Sequence, residues 1–448
     1  GPHGEALLRL EMAAHDAARL ATGLCTLLAL QFILLAAREL HGREHAAAAP
    51  LILAGSIGFL FHAHEAQPML ASLTAHTAAY WALALLPRLP RLASVVFGVA
   101  LAVGFLSNGL LPLLTLAPAA VIAACLSENR RHCIGSLLTG LMVAAIPCGA
   151  WMLSVQLSAP EYLASFFQAE IAVLTDPVTL TTNTLRYANL LLWYAWPALP
   201  LAVWALWSKR RLLRTPAIAL PALSFLLTLI TLATCVALRS NIALLLLPPL
   251  VLLSVPGVAS LRRGAANAFD WFGMVTFTFF GCIAWIGWSA LTLGWPDRLA
   301  RQAVRLAPGF VGSFDLPAVA FALAFTAIWF WMIVTSPRSP MRGIMHWMSG
   351  LTLFWLLIAS LWMPWIDYGK SYRPVAGQLS AALPARIQDG KPERGRCIAN
   401  GNLPNSILAS FYYFDNLRTL PLESEDGKRC NWLLVHGEVR DAAGMSAA

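Results

Sequence analysis

The sequence alternates between apolar segments long enough to cross a bilayer and short connections rich in arginine. A membrane-spanning helix needs about 20 predominantly apolar residues. Segments near that length are 17–38, 46–61, 69–86, 92–107, 109–125, 134–158, 188–207, 215–238, 242–260, 268–294, 315–335 and 344–365. Soluble domains carry roughly 25% charged residues, whereas this chain is 12% charged and 58% hydrophobic. The pattern excludes a soluble globular protein and predicts an all-α polytopic membrane protein with about twelve transmembrane helices.

The charges on the connections predict an orientation. Every second connection is short and basic, and the positive-inside rule places such connections in the cytoplasm. This basic set consists of Arg38/Arg43, Arg88/Arg91, Arg130/Arg131, 209–214, Arg262/Arg263 and Arg338/Arg342. The other set, 62–68, 107–109, 159–187, 239–241 and 295–314, then faces outward. We predict a bacterial inner-membrane protein with both ends of this chain periplasmic, an outward N-terminal segment 1–16 and a transmembrane domain 17–365.

The distribution of basic residues also bears on the partners. The formal net charge is +9, but the cations lie in short clusters between apolar runs and do not form one face or tail. That distribution argues against a nucleic-acid partner and favours membrane lipids. The sequence also has no P-loop or Rossmann fingerprint.

The beginning of the chain leads to an expectation about completeness. The sequence opens with Gly1-Pro2-His3-Gly4, without an initiator Met and without a basic region ahead of an apolar core. A cleavable signal peptide is therefore not expected here. Because an outward N-terminus without a signal peptide needs an upstream helix, we expect the sequence to be N-terminally truncated by at least one span.

After Trp365 the composition becomes polar, which predicts a separate domain over 366–448. Arg396–Ala399 and Cys430–Val435 have the pattern of short buried strands, and Ser406–Phe414 that of a helix opened by Asn405. We expect a small extracytoplasmic α/β domain. Because that compartment is oxidising, a disulfide between Cys397 and Cys430 is favoured. The remaining six cysteines fit small buried apolar residues.

The connection 62–68, His62-Ala63-His64-Glu65-Ala66-Gln67-Pro68, carries the only carboxylate in a tight outward turn. Glu65 is a candidate for catalysis or for substrate positioning at the outer face. A polar turn without chemistry is the alternative. A metal site of His62, His64 and Glu65 is a further alternative, although their spacing lacks a defined helix-face geometry.

Several outward connections carry cations, against the orientation rule. Arg186 and Arg239 precede spans, where a guanidinium can hold a phosphate in bidentate fashion. Ordinary lipid anchoring is the alternative for both. Arg298, Arg301 and Arg305 have helical spacing, which favours an amphipathic helix on anionic lipid head groups.

The spans lack the internal repeat and the mid-membrane ion pair that would favour a transporter. This counts against a lipid or small-molecule transporter or flippase without excluding it. The transporter therefore remains the alternative function.

Three stretches resemble one family of enzymes. They are Phe105–Pro112 (FLSNGLLP), Arg186-Tyr187 followed by Trp193–Pro197 (WYAWP), and Arg239 followed by Leu246–Leu250 (LLPPL). Together they resemble the membrane glycosyltransferases of the protein O-mannosyltransferase and lipid A aminoarabinose transferase superfamily, which have the GT-C fold. Two positions depart from that family's pattern, since Asn108 stands where Lys is usual and Asn241-Ile242-Ala243 where a Tyr is often present.

This resemblance implies an inverting transfer of a sugar from a polyprenyl-phosphate carrier to a lipid, glycan or protein acceptor. The donor phosphate would be bound by Arg186 and Arg239, with His64 and Tyr187 as substrate-positioning residues and Glu65 as the catalytic candidate. No cofactor is implied, although a divalent metal stays open. The similarity begins at the family's second span, so the loop with its principal carboxylate is expected to be missing.

Overall fold

The computed structural model describes residues 14–175, 180–235, 238–383, 397–435 and 437. The chain divides into two compact units. The first comprises Gly1–Gly281 with Ala324–Trp355, and the second comprises Cys282–Leu323 with Leu356–Ala448.

The first unit consists of packed helices. In chain order they are α1 (Ala14–His41), α2 (Arg43–Ala46), α3 (Ala48–Ala54), α4 (Ile57–His62), α5 (Met69–Leu85), α6 (Pro90–Asn108), α7 (Leu111–Leu126), α8 (Arg130–Ser158), α9 (Pro160–Thr175), α10 (Leu180–Tyr194), α11 (Ala198–Ser208), α12 (Pro216–Cys235), a 3₁₀ turn Ile242–Leu246 leading into α13 (Leu247–Ala259), and α14 (Arg263–Thr292). Helix α14 belongs to this unit up to Gly281 and to the second unit from Cys282. The chain returns to the first unit with Ala324–Trp355, which contains most of α16 (Leu316–Thr335) and α17 (Arg342–Leu357).

Eight of the described helices are long and apolar enough to cross a membrane, or nine if one bent pair counts as a span. The sequence predicted about twelve. The difference arises where an apolar segment is short or broken: α7 has 16 residues and α5 has 17, and the segment 46–61 forms α2, α3 and α4 instead of one helix.

The break between α3 and α4 is stabilised by two hydrogen bonds. The indole N–H of Trp347 donates to the carbonyl oxygen of Gly55 at 2.8 Å. The amide of Ile57 donates to the carbonyl oxygen of Trp196 at 3.3 Å. Backbone groups released from a helix inside an apolar environment need such partners. The turn after Gly55 is thus stabilised by side-chain and backbone hydrogen bonds from distant segments, which a hydropathy pattern cannot predict.

The predicted span 188–207 is also broken. Asn183–Tyr194 and Ala198–Ser208 meet at an angle of 99°. Pro197 lies at the bend, where its missing N–H cannot continue the helical hydrogen bonds. Helix α10 begins at Leu180, inside the predicted outward connection 159–187, and α9 occupies most of the rest of that connection.

The helices of the first unit approach closely where glycine replaces a side chain. At Gly140 of α8, an added Cβ would lie 2.8 Å from the carbonyl oxygen of Ser94 and 3.2 Å from the ring of Phe97, both on α6. At Gly149, farther along α8, an added Cβ would meet nothing within 4 Å. Only the first of these two glycines is therefore required by packing.

The second unit combines helices with a small sheet. It contains α15 (Asp297–Leu306), a π-helical turn Ile358–Trp362, α18 (Met363–Lys370), α19 (Arg373–Ala382), α20 (Asn405–Asp415), and the strands β1 (Ile398–Asn400), β2 (Thr419–Pro421) and β3 (Trp432–Leu434). The parallel sheet has the order β2-β1-β3. Its core is formed by Ala376, Leu383, Ile398, Ile407, Phe411 and Leu417.

The two strands expected to be buried differ in exposure. In β1, Ile398 and Ala399 are buried. In β3, Trp432 is 45% and Leu433 56% exposed, so the prediction of a buried second strand is wrong. The reason is position: β1 is the central strand, whereas β3 is an edge strand with a neighbour on one side only.

We expect Gly140→Ala to destabilise the first unit by about 1–3 kcal/mol, because the new methyl group overpacks the α6–α8 contact. Thermal unfolding of the purified full chain in detergent provides the measurement. Gly149→Ala on the same helix is the matched control and should not lower the unfolding temperature. Equal effects of the two substitutions would contradict the close approach at Gly140.

Candidate active site at one end of the first unit

Connections from the predicted outward set meet at one end of the first unit. Asn241 Nδ2 donates to Gln67 Oε1 at 3.4 Å, joining 239–241 to 62–68. The amide of Leu110 donates to Glu170 Oε2 at 2.8 Å, joining the turn before α7 to α9. The first of these contacts brings the segment of Arg239 next to the turn that carries Glu65.

Contacts of the basic set join a different group of connections. Arg88 donates to Glu39 Oε2 at 2.9 Å. The indole N–H of Trp204 donates to the carbonyl oxygen of Ser260 at 3.3 Å. These two contacts join helix ends that lie next to the basic connections.

Glu65 lies in a hydrogen-bonded network at this end. His62 Nδ1 is 2.6 Å from Glu65 Oε2, and Gln67 Nε2 donates to the same oxygen at 2.9 Å. His62 is buried at 8% exposure, whereas the Glu65 side chain is 51% exposed. Within the described part of the chain, both bonds use Oε2, which leaves Oε1 without a protein partner. Glu65 is therefore an oriented carboxylate with a free oxygen.

His64 has a different environment from His62. Its ring lies over Trp355, with ring centroids 4.1 Å apart and planes inclined by 34°. Desolvation lowers the pKa of His64, and the charge of His62 acts in the same direction while the Glu65 carboxylate opposes them. His64 is consequently a neutral, stacked imidazole at pH 7, able to offer a hydrogen bond beside Glu65.

The metal alternative for this turn receives no geometric support. His62 Nδ1 is directed at Glu65, whereas His64 stacks on Trp355. Among the residues that the structure describes, no group of three or more His, Cys, Asp or Glu side chains could hold a metal ion.

Arg186 lies on the exposed side of α10. Tyr187, Leu191 and Tyr194 form the buried stripe of this helix, with exposures of 0%, 3% and 1%. Arg186 is exposed, and over the described residues its guanidinium makes no hydrogen bond or ion pair. Tyr187, predicted to position substrate, instead packs inside the helices, and its buried hydroxyl has no hydrogen-bond partner there.

Arg239 lies on a segment tied to α10 by hydrogen bonds. Tyr194 donates its hydroxyl to the carbonyl oxygen of Ser240 at 2.7 Å. Asn183 donates to the carbonyl oxygen of Ala233, near the end of α12, at 2.9 Å. Arg239 is exposed. Like Arg186, it has no acidic partner among the residues that the structure describes. The structure thus carries two unpaired cations on connected segments.

Glu170 is a second carboxylate at this end, and the sequence did not single it out. Its Oε2 accepts from the amide of Leu110, immediately before α7 begins. Gly109 has φ +63°, and an added Cβ would lie 2.3 Å from Glu170 Oε1. A carboxylate at a helix N-terminus is stabilised by the free amides there. The sequence shows a helix break at Asn108-Gly109, but it does not show that Glu170 of α9 lies next to this break.

A buried charged cluster near the basic end was also missed. His346 on α17 is fully buried and hydrogen-bonds through Nδ1 to Asp270 Oδ1 on α14. Arg342 Nε lies 3.4 Å from Asp270 Oδ2. The sequence indicated no mid-membrane ion pair, and this cluster lies near the ends of its two helices, which is why that expectation did not point to it. Arg342 and His346 are four residues apart, which places them on the same face of a helix and could have indicated a shared partner.

In the second unit, Cys397 and Cys430 are joined by a disulfide. Cys397 immediately precedes β1, and Cys430 lies shortly before β3. The disulfide therefore reinforces the pairing of the central strand with one edge strand. It is more than 300 residues from Glu65 in the sequence.

We expect Tyr194→Phe to destabilise the protein by about 1 kcal/mol, because it removes the bond to Ser240. Tyr187→Phe on the same buried stripe is the control, since the hydroxyl that it removes has no partner. Thermal unfolding of the full chain in detergent compares the two variants. A larger loss in Tyr187→Phe than in Tyr194→Phe would contradict these assignments.

Comparison with known proteins gives a match at the level of structure. No protein-family model and no curated protein sequence matches the chain. The crystal structure of ArnT from Cupriavidus metallidurans bound to undecaprenyl phosphate is similar, with a TM-score of 0.62 and 17% identity over 93% of this chain and 75% of that chain. ArnT in the apo state gives 0.60 and 16% over 92% and 72%. The chain therefore shares the fold of these ArnT structures, which agrees with the fold that the sequence resemblance implied.

Proposed function

We propose that this protein is a membrane glycosyltransferase that moves a sugar from a polyprenyl-phosphate carrier to an acceptor hydroxyl at the periplasmic face. The observation that carries the proposal is a chain of contacts: the turn of the oriented carboxylate Glu65 is bonded to the segment of Arg239 through Gln67 and Asn241, and that segment is bonded through Tyr194 to α10, which carries Arg186. The fold supports it, because an ArnT structure of the same fold is bound to undecaprenyl phosphate.

In this proposal Glu65 acts as the general base. The acceptor oxygen attacks the anomeric carbon while the bond from that carbon to the carrier phosphate breaks, and Glu65 Oε1 takes the acceptor proton. The bonds from His62 and Gln67 hold the carboxylate through Oε2, so that Oε1 remains available. A base positioned in this way contributes through proton transfer as the new bond forms. Attack opposite to the leaving group inverts the anomeric centre.

Arg186 and Arg239 would bind the carrier phosphate. As the sugar leaves, negative charge develops on the phosphate oxygens, and guanidinium groups stabilise that charge most strongly in the transition state. Arginine suits this task because its planar fork can donate two parallel hydrogen bonds. Both side chains are exposed and free of acidic partners among the described residues, so a phosphate would not have to displace a carboxylate.

The remaining partners follow from the same chemistry. The neutral ring of His64, next to Glu65, is placed to hydrogen-bond a sugar or acceptor hydroxyl. The acceptor is a lipid, a glycan or a protein, and the transfer as written uses no cofactor. The predicted orientation puts this end of the first unit in the periplasm of a bacterial inner membrane, where the oxidising compartment suits the Cys397–Cys430 disulfide.

We expect Glu65→Gln to lower kcat for transfer from a polyprenyl-phosphate sugar by about 10²–10⁴-fold, because the amide cannot accept the proton. Transfer of a radiolabelled sugar by the purified full chain provides the measurement. Glu161→Gln is the control, since Glu161 is an exposed carboxylate on α9 without a role in the proposal. Full activity of Glu65→Gln would remove Glu65 as the base.

For the cations, we expect Arg186→Gln and Arg239→Gln each to lower kcat by about 10²–10³-fold, as removal of a transition-state donor does. Arg214→Gln, on a basic connection of the opposite set, loses the same charge and should keep its activity. A similar loss in all three variants would indicate a general effect of charge on membrane association.

A transporter or flippase is the second candidate, and the Asp270–His346–Arg342 cluster favours it. Ionisable residues inside spans commonly mark ion pathways. However, Asp270 lies only about 10 Å along α14 from its first residue, near the basic end and not at mid-span. Reconstituted vesicles separate the two functions: lipid movement without sugar transfer, abolished by Asp270→Asn, would favour the transporter.

A further inference from the structure

The second unit contains an amphipathic helix that the proposed transfer does not use. Helix α15 carries Arg298, Arg301 and Arg305 on one face, with Leu299 and Leu306 on another. The structure describes no acidic partner for any of the three arginines. Three unpaired guanidinium groups along about two turns of helix form a strongly anion-attracting surface.

An apolar cavity of about 430 Å³ lies against this helix. Ile283, Ile286 and Leu291 of α14 line one side, Leu299 and Leu306 of α15 another, and Trp362 a third. Its volume falls within the range of about 300–1,000 Å³ that is typical of small-molecule sites. A cavity with so few polar groups suits a hydrocarbon chain.

A second cavity, of about 420 Å³, is lined by the arginines. Its walls are Arg298, Arg301, Gln302, Arg305 and Leu306. Gln302 and Leu306 also line the apolar cavity, so the two spaces adjoin along one side of α15. An apolar compartment next to a cationic one matches a ligand with a hydrocarbon chain and an anionic head.

The walls of the apolar cavity are fixed by specific contacts. The indole N–H of Trp362 donates to the carbonyl oxygen of Ala284 at 2.9 Å, and its ring packs directly on Gly287. Tyr368 donates its hydroxyl to the carbonyl oxygen of Pro308 at 2.8 Å, which anchors the segment after α15. These contacts hold the segment after α17 and the segment after α15 in place, so the cavity does not depend on a ligand for its shape.

We propose that α15 and these two cavities bind one anionic glycerophospholipid, with an acyl chain in the apolar cavity and its phosphate on Arg298, Arg301 and Arg305. Guanidinium groups bind phosphate through charge-assisted hydrogen bonds. A lipid without net negative charge would leave the positive charge of the arginines uncompensated. Inorganic phosphate would leave the apolar cavity unfilled. The carrier lipid is not required here, because its proposed ligands Arg186 and Arg239 belong to the first unit.

Native mass spectrometry of the delipidated full chain in detergent tests the proposal, with phosphatidylglycerol, phosphatidylcholine and undecaprenyl phosphate as probes. We expect one phosphatidylglycerol to bind more tightly than phosphatidylcholine, whereas undecaprenyl phosphate, which the proposed function places on the first unit, should bind independently of the arginines of α15. The triple variant Arg298→Gln, Arg301→Gln, Arg305→Gln should lower its affinity about 100-fold. Ala303→Phe, which fills the apolar cavity at a residue that lines it, should lower it as well.

The control triple is Arg210→Gln, Arg211→Gln, Arg214→Gln, which removes the same charge from a basic connection of the first unit. It should retain the affinity for phosphatidylglycerol. Should the α15 triple variant fail to fold, Arg301→Gln and Arg305→Gln are measured singly, with an expected loss of about fivefold each. Equal binding of phosphatidylcholine, a loss of undecaprenyl phosphate binding in the α15 triple variant, full affinity for phosphatidylglycerol in Ala303→Phe, or an equal loss in the control would each overturn the proposal.

Discussion

The satisfaction of backbone hydrogen bonds at breaks between apolar helices is the constraint on which the candidate site depends. Within hydrocarbon, a helix can stop only where other groups bind the released amides and carbonyls. Trp347 and Trp196 do this at the turn after Gly55. Because α4 starts at that turn, these two bonds set the direction in which α4 runs and so the position of the turn that follows, which carries Glu65.

The same break explains the contact between α4 and α10. An added Cβ at Gly58 would lie 2.2 Å from the ring of Tyr194, so the two helices are as close as glycine permits. Tyr194 in turn holds Ser240, next to Arg239. A chain of contacts therefore connects the carboxylate with the segment that carries one of the proposed phosphate ligands. In our account, this rigid connection is what keeps the base and the cations in register during transfer.

Most of the apolar helices could be predicted from the sequence, because apolar length is a local property. The orientation and the site residues, which were predicted from loop charge and from the residue types on the connections, stay predictions. The breaks at Gly55 and Pro197 could not be predicted, since their hydrogen-bond partners lie far along the chain. Burial of Tyr187 was missed because one helical position separates it from the exposed Arg186. The pairing of Asp270 with His346 was missed for the same reason as the breaks: it joins two spans distant in sequence.

The central claim, that this end of the first unit binds a carrier phosphate beside Glu65, is tested most directly by an experimental structure of the full chain with undecaprenyl phosphate in a lipid nanodisc. The account predicts phosphate density in contact with the guanidinium groups of Arg186 and Arg239, on the side of the unit where Glu65 lies. Phosphate density at the basic connections or on α15, with none at Arg186 and Arg239, would contradict it.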